Sequence, residues 1–275
     1  IDAATGVISG TLDRSASVAA PYRVSVTATD EAGASATTQF VWQVINPAPR
    51  AGADANTVDE NARLSVNADQ GVLANDIDPD DDRLQVDAVG GQANAVGQSV
   101  AGSNGGVFVI ERDGSYSFDT SGAFDDLAAD AARTTQVAYQ VRDADGASDT
   151  AFLTVTVTGA NDAPVINGDG LMSRQDGDGA EVLLDTGAAF VDPDRGDTLT
   201  YRVDNLPPGL MFDTATGQIT GRLDNDASAN APYQVTVTAT DDNGGSLSQS
   251  FVWQIDNVVP VAGEDTAQVQ AGGAT

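Results

Sequence analysis

Tyr233-Gln234-Val235-Thr236-Val237-Thr238-Ala239-Thr240-Asp241 places an apolar or aromatic side chain at every second position. Successive side chains of a strand point to opposite faces, so this pattern predicts a half-buried β-strand. Val24-Ser25-Val26-Thr27-Ala28 repeats it near the start of the chain, Phe152 through Val157 repeats it in the middle, and Gly, Asn and Asp separate the runs. Only Phe124-Asp125-Asp126-Leu127-Ala128-Ala129-Asp130-Ala131 has the makings of a helix, and a short one, because Asp is a poor helix former. The expected fold class is therefore all-β, with each domain a β-sandwich of roughly seven strands. Trp42 and Trp253 each stand in a Phe-x-Trp-x-aliphatic pattern on what reads as the last strand. The alternation turns all three large side chains to one face, which predicts core packing rather than a platform for stacking sugars.

Compared with itself, the sequence has one dominant offset. Residues 1–46 align without a gap onto 212–257, with 26 of the 46 positions identical. The identities include Thr5-Gly6, Pro21-Tyr22 and Phe40-Val41-Trp42-Gln43, matched by Thr216-Gly217, Pro232-Tyr233 and Phe251-Val252-Trp253-Gln254. A shorter frame recurs within that period: an Asp, a Gly three residues later, an alternating run, then Asn-x-x-Pro. It occurs at Asp30/Gly33 to Asn46 and Pro49, at Asp143/Gly146 to Asn161 and Pro164, and at Asp241/Gly244 to Asn257 and Pro260. The expected organisation is half a domain over 1–48, complete sandwiches over 49–163 and 164–259, and the first strand of another repeat over 260–275. Modules joined so closely predict an extended array. The first residue is Ile1 rather than Met, which reads as an internal piece of a longer protein.

Composition narrows the chemistry. The 12 cationic side chains are all Arg, against 41 acids of which 36 are Asp, for a net charge of −29. With no His, Cys or Lys there is no serine triad, cysteine nucleophile, Schiff-base lysine, P-loop or imidazole-ligated metal. Nucleic acid is an improbable partner for so negative a chain. No run of 18 apolar residues suggests membrane insertion. The absence of Cys leaves the redox compartment open.

Residues 212–257 resemble the cadherin consensus through Phe212-Asp213, Thr216-Gly217, Ile219, Leu223-Asp224-Asn225-Asp226, Tyr233, Ala239-Thr240-Asp241 and the Asn257 linker. With Leu206-Pro207-Pro208-Gly209-Leu210 ahead of them, they are most similar to the dystroglycan-type cadherin-like, or putative Ig, repeats of bacterial surface proteins. The middle domain resembles the VCBS or bacterial cadherin-like repeat through Val72-Leu73-Ala74-Asn75-Asp76, Asp113-Gly114-Ser115-Tyr116, Phe124-Asp125-Asp126-Leu127-Ala128 and Asn161-Asp162-Ala163-Pro164. The resemblance implies a large secreted adhesin of a Gram-negative bacterium, often of the RTX type exported by type I secretion, although no glycine-rich RTX nonapeptide occurs in this sequence.

Strand parity adds a geometric expectation. A seven-strand antiparallel domain takes the chain in at one pole and releases it at the other, so alternate loops share a pole. Asp192-Pro193-Asp194 and Asp241 should then gather beside the incoming Asn161-Asp162, and Asp78-Pro79-Asp80 and Asp143 beside Asn46, with Asp13 joining from the preceding repeat. Asp224, Asp226, Asp256 and Asn257 should mark a third joint, and Glu60 sits where cadherins use a Glu ligand. Hard oxygen ligands without imidazole or thiolate select Ca2+. Two carboxylates 6 Å apart repel by roughly 0.7 kcal/mol in water and about 3 at an effective dielectric of 20. Five of them make ten pairs, so an unmetallated joint would carry on the order of 7 to 30 kcal/mol, against about 5 to 15 for a whole domain's stability. The linkers differ: where the middle joint has Asp162, the first has Pro47 and the last Val258, and Ser15 stands where the later copy has Asp226. The Asn161 joint is expected to hold the most ions.

Other motifs weigh less. Arg195-Gly196-Asp197 spells an integrin tripeptide, but it falls inside the expected calcium loop, where Asp197 reads as ligand or turn residue. Asp76-x-Asp78-x-Asp80 opens like an EF-hand, yet Asp81 replaces the required Gly and no helices flank it. Paired carboxylates could serve a glycosidase, but nothing marks a cleft, so the expectation is no enzyme. The sequence reading is a stalk segment on the bacterial surface, stiffened by Ca2+, that projects a distal binding region for adhesion or biofilm attachment. The alternatives are a carbohydrate-binding module or homophilic contact between like stalks.

Overall fold

The computed structural model describes residues 1–259, and the strand expected over 260–275 lies outside them. The chain divides into two compact units, Ile1–Ala160 and from Asn161 onward. Apart from short 3-10 turns, every element is a strand.

The first unit opens with a hairpin, β1 (Tyr22–Thr29) and β2 (Ser35–Trp42). A sandwich follows, made of β3 (Asp54–Asp59), β4 (Arg63–Val66), β5 (Gln85–Val89), β6 (Val100–Ala101), β7 (Val107–Ile110), β8 (Tyr116–Asp119), β9 (Ala132–Arg142) and β10 (Ser148–Thr158). One sheet has the order β3-β10-β9-β5 and the other β4-β8-β7-β6. Inward positions of both sheets meet in a core that includes Phe108, Phe118, Phe124, Leu153 and Val155, all fully buried. Phe108 and Phe118 pack at 4.6 Å between ring centroids. The expected helix at 124–131 is instead a pair of tight turns, with Leu127 N–H bonded to Phe124 O and Ala131 N–H to Ala128 O. Its apolar residues, Phe124 and Leu127, serve as plugs for the core; three Asp in eight residues gave a helix little local support.

The second unit contains β11 (Val165–Ile166), β12 (Arg174–Gly177), β13 (Glu181–Asp185), β14 (Phe190–Val191), β15 (Thr200–Asp204), β16 (Leu210–Phe212), β17 (Gln218–Arg222), β18 (Tyr233–Thr240) and β19 (Ser246–Asp256). Its sheets are β12-β19-β18-β15 and β13-β17-β16, with β11 and β14 as a small separate pair. The core gathers Val235, Val237, Ala239, Ile219, Leu223 and Trp253. Trp253 is fully buried, and its indole N–H donates to Asp176 Oδ2 at 2.9 Å, which satisfies the ring's only polar group.

Two details refine the sequence reading. The sandwiches are not wholly antiparallel, because β3 runs parallel to β10 and β12 parallel to β19. Parity itself requires this: strands at the two ends of a domain that enters at one pole and leaves at the other point the same way, so they can only pair in parallel. Trp42 also departs from its counterpart. It is 38 % exposed where Trp253 is 0 %, because β1 and β2 form a two-stranded sheet with no second sheet over their apolar face among the described residues. Local structure nevertheless repeats between the copies. Asp2 and Asp213 each accept backbone N–H groups two and three residues on, and each turn closes on a glycine at positive φ, Gly6 at 71° and Gly217 at 70°.

Candidate metal centres

In the second unit, Asp192 and Asp194 follow β14 on either side of Pro193, and Asp241 follows β18. Asp192 Oδ1 accepts from Asp194 N–H at 3.0 Å, a local turn that leaves Oδ2 without a partner. Asp194, 3 % exposed, uses Oδ2 to accept from Asp162 N–H at 2.9 Å and leaves Oδ1 without one. Asn161 donates Nδ2 to Asp241 Oδ2 at 3.1 Å, leaving its own Oδ1 unpartnered. Asp241 Oδ1 is engaged by the amides of Asn243 and Gly245, each at 2.9 Å. The structure thus brings Asn161, Asp162, Asp192, Asp194 and Asp241 together, and adds Asp197. Carboxylate oxygens of Asp192, Asp194 and Asp197 lie within 4.8 Å of one another.

The first unit repeats the pattern. Asn46 Nδ2 donates to Asp143 Oδ2 at 2.8 Å, and Asp143 Oδ1 accepts from Gly146 and Ala147 N–H. Asp78 Oδ1 accepts from the amides of Asp80 and Asp82, both at 3.1 Å. Asn46 Oδ1, Asp78 Oδ2, Asp80 Oδ1 and Asp82 Oδ2 are buried without partners, and Asp78, Asp80 and Asp82 offer oxygens within 4.8 Å of one another.

In both places one atom of a side chain is spent on fixing its orientation while another oxygen is left buried and unpaired. A buried acceptor without a donor costs about 1 to 3 kcal/mol, more when charged. Electrostatics agree. Burial, then the charges of Asp194, Asp241 and Asp197, raise the Asp192 carboxyl above its ordinary value. Burial and the neighbouring Asp145, Asp78 and Asp143 raise Asp82. Asp80 is pushed up to about 6, chiefly by its hydrogen bond to Asp78, then by burial and the charges of Asp78 and Asp82. Asp78 is its opposite: burial pushes it up, but hydrogen bonds from Asp80 and Asp82 outweigh that and hold it low. Asp241 is held low in the same way, burial being outweighed by Asn161 and the loop amides. These oxygens, drawn from carboxylates and amide carbonyls, fit a hard divalent cation such as Ca2+, which takes six to eight oxygens.

The remaining expected ligands stand elsewhere. Asp13 Oδ1 accepts from Ser15 N–H and Oγ and caps the turn Arg14–Ser17; the contact in its neighbourhood that reaches the cluster is the Arg14–Asp81 ion pair. Glu60, 2 % exposed, follows β3 and accepts on Oε1 from Ala160 N–H at 2.8 Å. Asp224 and Asp226 are exposed and flank the start of the turn Ala227–Asn230. Asp256 accepts from Gln175 and Gln254, and Asn257 is exposed; these four form no carboxylate cluster among the described residues. Sequence reasoning did not reach Asp82, although the Asp78-x-Asp80-x-Asp82 spacing was a signal for it. Nor did it give Asp76 its place, with Oδ1 on Gly52 N–H and Oδ2 buried without a partner.

Sandwiches in tandem, each gathering acids around the Asn that leads into it, define a cadherin-like and Ig-like class of repeat. The chain belongs to the Putative Ig domain family, whose model matches residues 1–45 and 164–256, and residues 46–159 between them match the Bacterial cadherin-like domain. Both are adhesion-related extracellular repeats. Among solved structures, human Protocadherin-24 EC1-2 is 19% identical, with 78% of this chain and 100% of that one covered and a TM-score of 0.49. Protocadherin Gamma B7 extracellular cadherin domains 1-4 is 15% identical over 91% of this chain, with a TM-score of 0.42. Protocadherin Gamma B2 extracellular cadherin domains 1-5 is 14% identical over 89%, with a TM-score of 0.47. This chain spans 62% and 47% of the length of those two. No curated protein matches it. No helix among the described residues is long and apolar enough to cross a membrane.

Proposed function

We propose that this segment is a calcium-rigidified stretch of the stalk of a large secreted bacterial adhesin, placed outside the cell to project a distal binding region for attachment. The observation that carries the reading is the repeated set of buried, unpartnered oxygens on Asn46, Asp78 and Asp80 and on Asn161, Asp192 and Asp194. Asn161 and Asp162 are already tied to the loops of the domain they lead into, through Asp241 and Asp194. When bound, Ca2+ supplies the positive charge these oxygens lack. Asp192, Asp194 and Asp241 then hold the incoming chain as part of the domain body, and the free length of the hinge shrinks. The sequence borders at 48, 163 and 259 mark the modules so joined, and the acids Asp224, Asp226 and Asp256, with Asn257, mark a further joint. The role is mechanical, and no residue set here is assigned to catalysis.

Calorimetric titration of the whole chain with CaCl2, paired with small-angle scattering in calcium and in chelator, tests this. Saturable binding with a longer maximum dimension in calcium is expected. An unchanged maximum dimension removes the stiffening role even where ions bind.

A further inference from the structure

Tyr139 belongs to the core of the first sandwich, and its hydroxyl meets three oxygens. Gly52 O and Asp54 Oδ2 each lie 2.7 Å from it, and Val72 O lies at 3.0 Å. A phenol carries one proton, and 2.7 Å is the separation of two oxygens with a hydrogen between them. Donation to Gly52 O leaves the contact with Asp54 bare, and donation to Asp54 leaves the contact with Gly52 O bare. A second proton, on the Asp54 carboxyl, resolves both. The acid then donates to the phenol oxygen and the phenol to Gly52 O, with Val72 O as the longer arm of the same hydrogen.

Other acids hold the same few residues. Asp149 Oδ2 accepts from Ala51 N–H at 3.0 Å, and Asp76 Oδ1 from Gly52 N–H at 2.7 Å. Through this stretch the chain enters β3, and Asp54 opens the parallel pairing with β10, opposite Leu153. The titratable groups around Asp54 and Tyr139 are Asp76 between β4 and β5, Asp149 on β10, and Tyr116 on β8, whose hydroxyl accepts from Asn56 Nδ2. No ion pair among the described residues includes Asp54, Asp76 or Asp149, so an ionised Asp54 has two carboxylates nearby and no cation paired with it. Burial raises the Asp54 carboxyl above its ordinary value and outweighs its hydrogen bond with Tyr139. The phenol is raised as well, by burial first, then by its bond to Asp54 and the charges of Asp76, Asp54 and Asp149, and so keeps its proton.

We propose that Asp54 and Tyr139 form a proton-operated fastening at the entry to β3: with a proton on Asp54 the phenol is bonded to Asp54 and Gly52 together, and without it the phenol serves only one of them. The folded chain holds this proton more tightly than the unfolded chain. The fastening is therefore complete below the ordinary carboxylate range and is lost as pH rises through the folded-state titration of Asp54. No metal ion takes part, and neither residue belongs to the candidate calcium centres.

The whole chain is tested in chelator, which keeps the outcome apart from the calcium reading. With aspartate labelled at 13Cγ, the NMR signal lost in Asp54→Asn is that of Asp54. It should titrate above the main body of Asp signals. In Tyr139→Phe, which removes the acceptor of the acid's proton, it should move down toward them. An ionised Asp54 that only accepts from the phenol would move up instead. Asp54→Asn, whose amide donates to the phenol at every pH, should melt a few degrees above wild type near pH 7.5 and level with it near pH 4.5. This arm decides alone should Tyr139→Phe not fold. An Asp54 signal that titrates with the others, an upward move in Tyr139→Phe, or Asp54→Asn melting at or below wild type near pH 7.5 would each overturn the proposal.

Discussion

Replacing Asp192 by Asn should change the stability of the second unit in opposite directions with and without calcium. Asp192, Asp194 and Asp197 present oxygens within 4.8 Å of one another. At an effective dielectric of 20 that separation gives roughly 3 kcal/mol of repulsion for each ionised pair. Asp192→Asn removes two of the three pairs, and its amide oxygen can still accept from Asp194 N–H as Oδ1 does now. Relaxation and partial protonation, which burial and the neighbouring charges already favour at Asp192, reduce the gain to about 1 to 2 kcal/mol. For a domain of this size that is a rise in melting temperature of about 4 to 16 °C in chelator. In calcium the same change deletes a charged ligand, so the variant binds more weakly and loses the stabilisation that ligand binding gives the folded state. Trp253 provides the probe, since it is buried in the second unit whereas Trp42 already faces solvent in the first. Thermal melts followed by tryptophan emission, in about 1 mM chelator and in about 5 mM CaCl2, should show Asp192→Asn above wild type in the first and below it in the second. A shift of the same sign in both conditions would refute the clustering argument.

Two further outcomes follow from the first unit and from the contrast between the two tryptophans. Asp76 and Asp80 are both pushed up to about 6, Asp76 by burial first and then by Asp54 and Asp149. In chelator the folded chain therefore keeps protons that the unfolded chain has lost, and stability falls as pH rises from about 4 through 6. Unfolding free energies from urea melts should be higher near pH 4.5 than near pH 7.5, by on the order of 1 kcal/mol after allowing for partial exposure, with calcium affinity moving the opposite way. Trp253→Ala should destabilise the second unit by about 3 to 5 kcal/mol, as for other buried aromatics. Trp42→Ala, at a face that no second sheet covers among the described residues, should change the first unit's urea midpoint little; equal losses would contradict the exposures reported above.

Much of this was written in the sequence because alternation, turn residues and parity are local or counting properties. Val235 to Ala239 could be assigned to a strand, and its inward face named, without any knowledge of its neighbours. Parity could say which loops share a pole, and so could place Asp192, Asp194 and Asp241 beside Asn161. It could not say which oxygen of each side chain is spent on orientation, because that depends on backbone amides such as Asp162 N–H arriving at bonding distance. Asp82 escaped for a related reason: three acids in five residues read as a solvated turn until Asp78 Oδ1 is seen to gather the amides of both Asp80 and Asp82. Trp42 and Trp253 carry the same local pattern, and only the presence or absence of a facing sheet separates a core residue from an exposed one.

The parallel pairing of first and last strands sets how each domain answers a pull. Tension applied at its two ends draws β3 and β10, or β12 and β19, past each other along their lengths, so the rungs between them are loaded together in shear rather than peeled singly. The first sandwich carries that load over the register from Leu153↔Asp54 to Thr158↔Asp59, the second over the shorter run from Arg174↔Trp253 to Gly177↔Asp256. A tether built from such modules would yield in a fixed order, the short-clamped module acting as the fuse that protects the longer one.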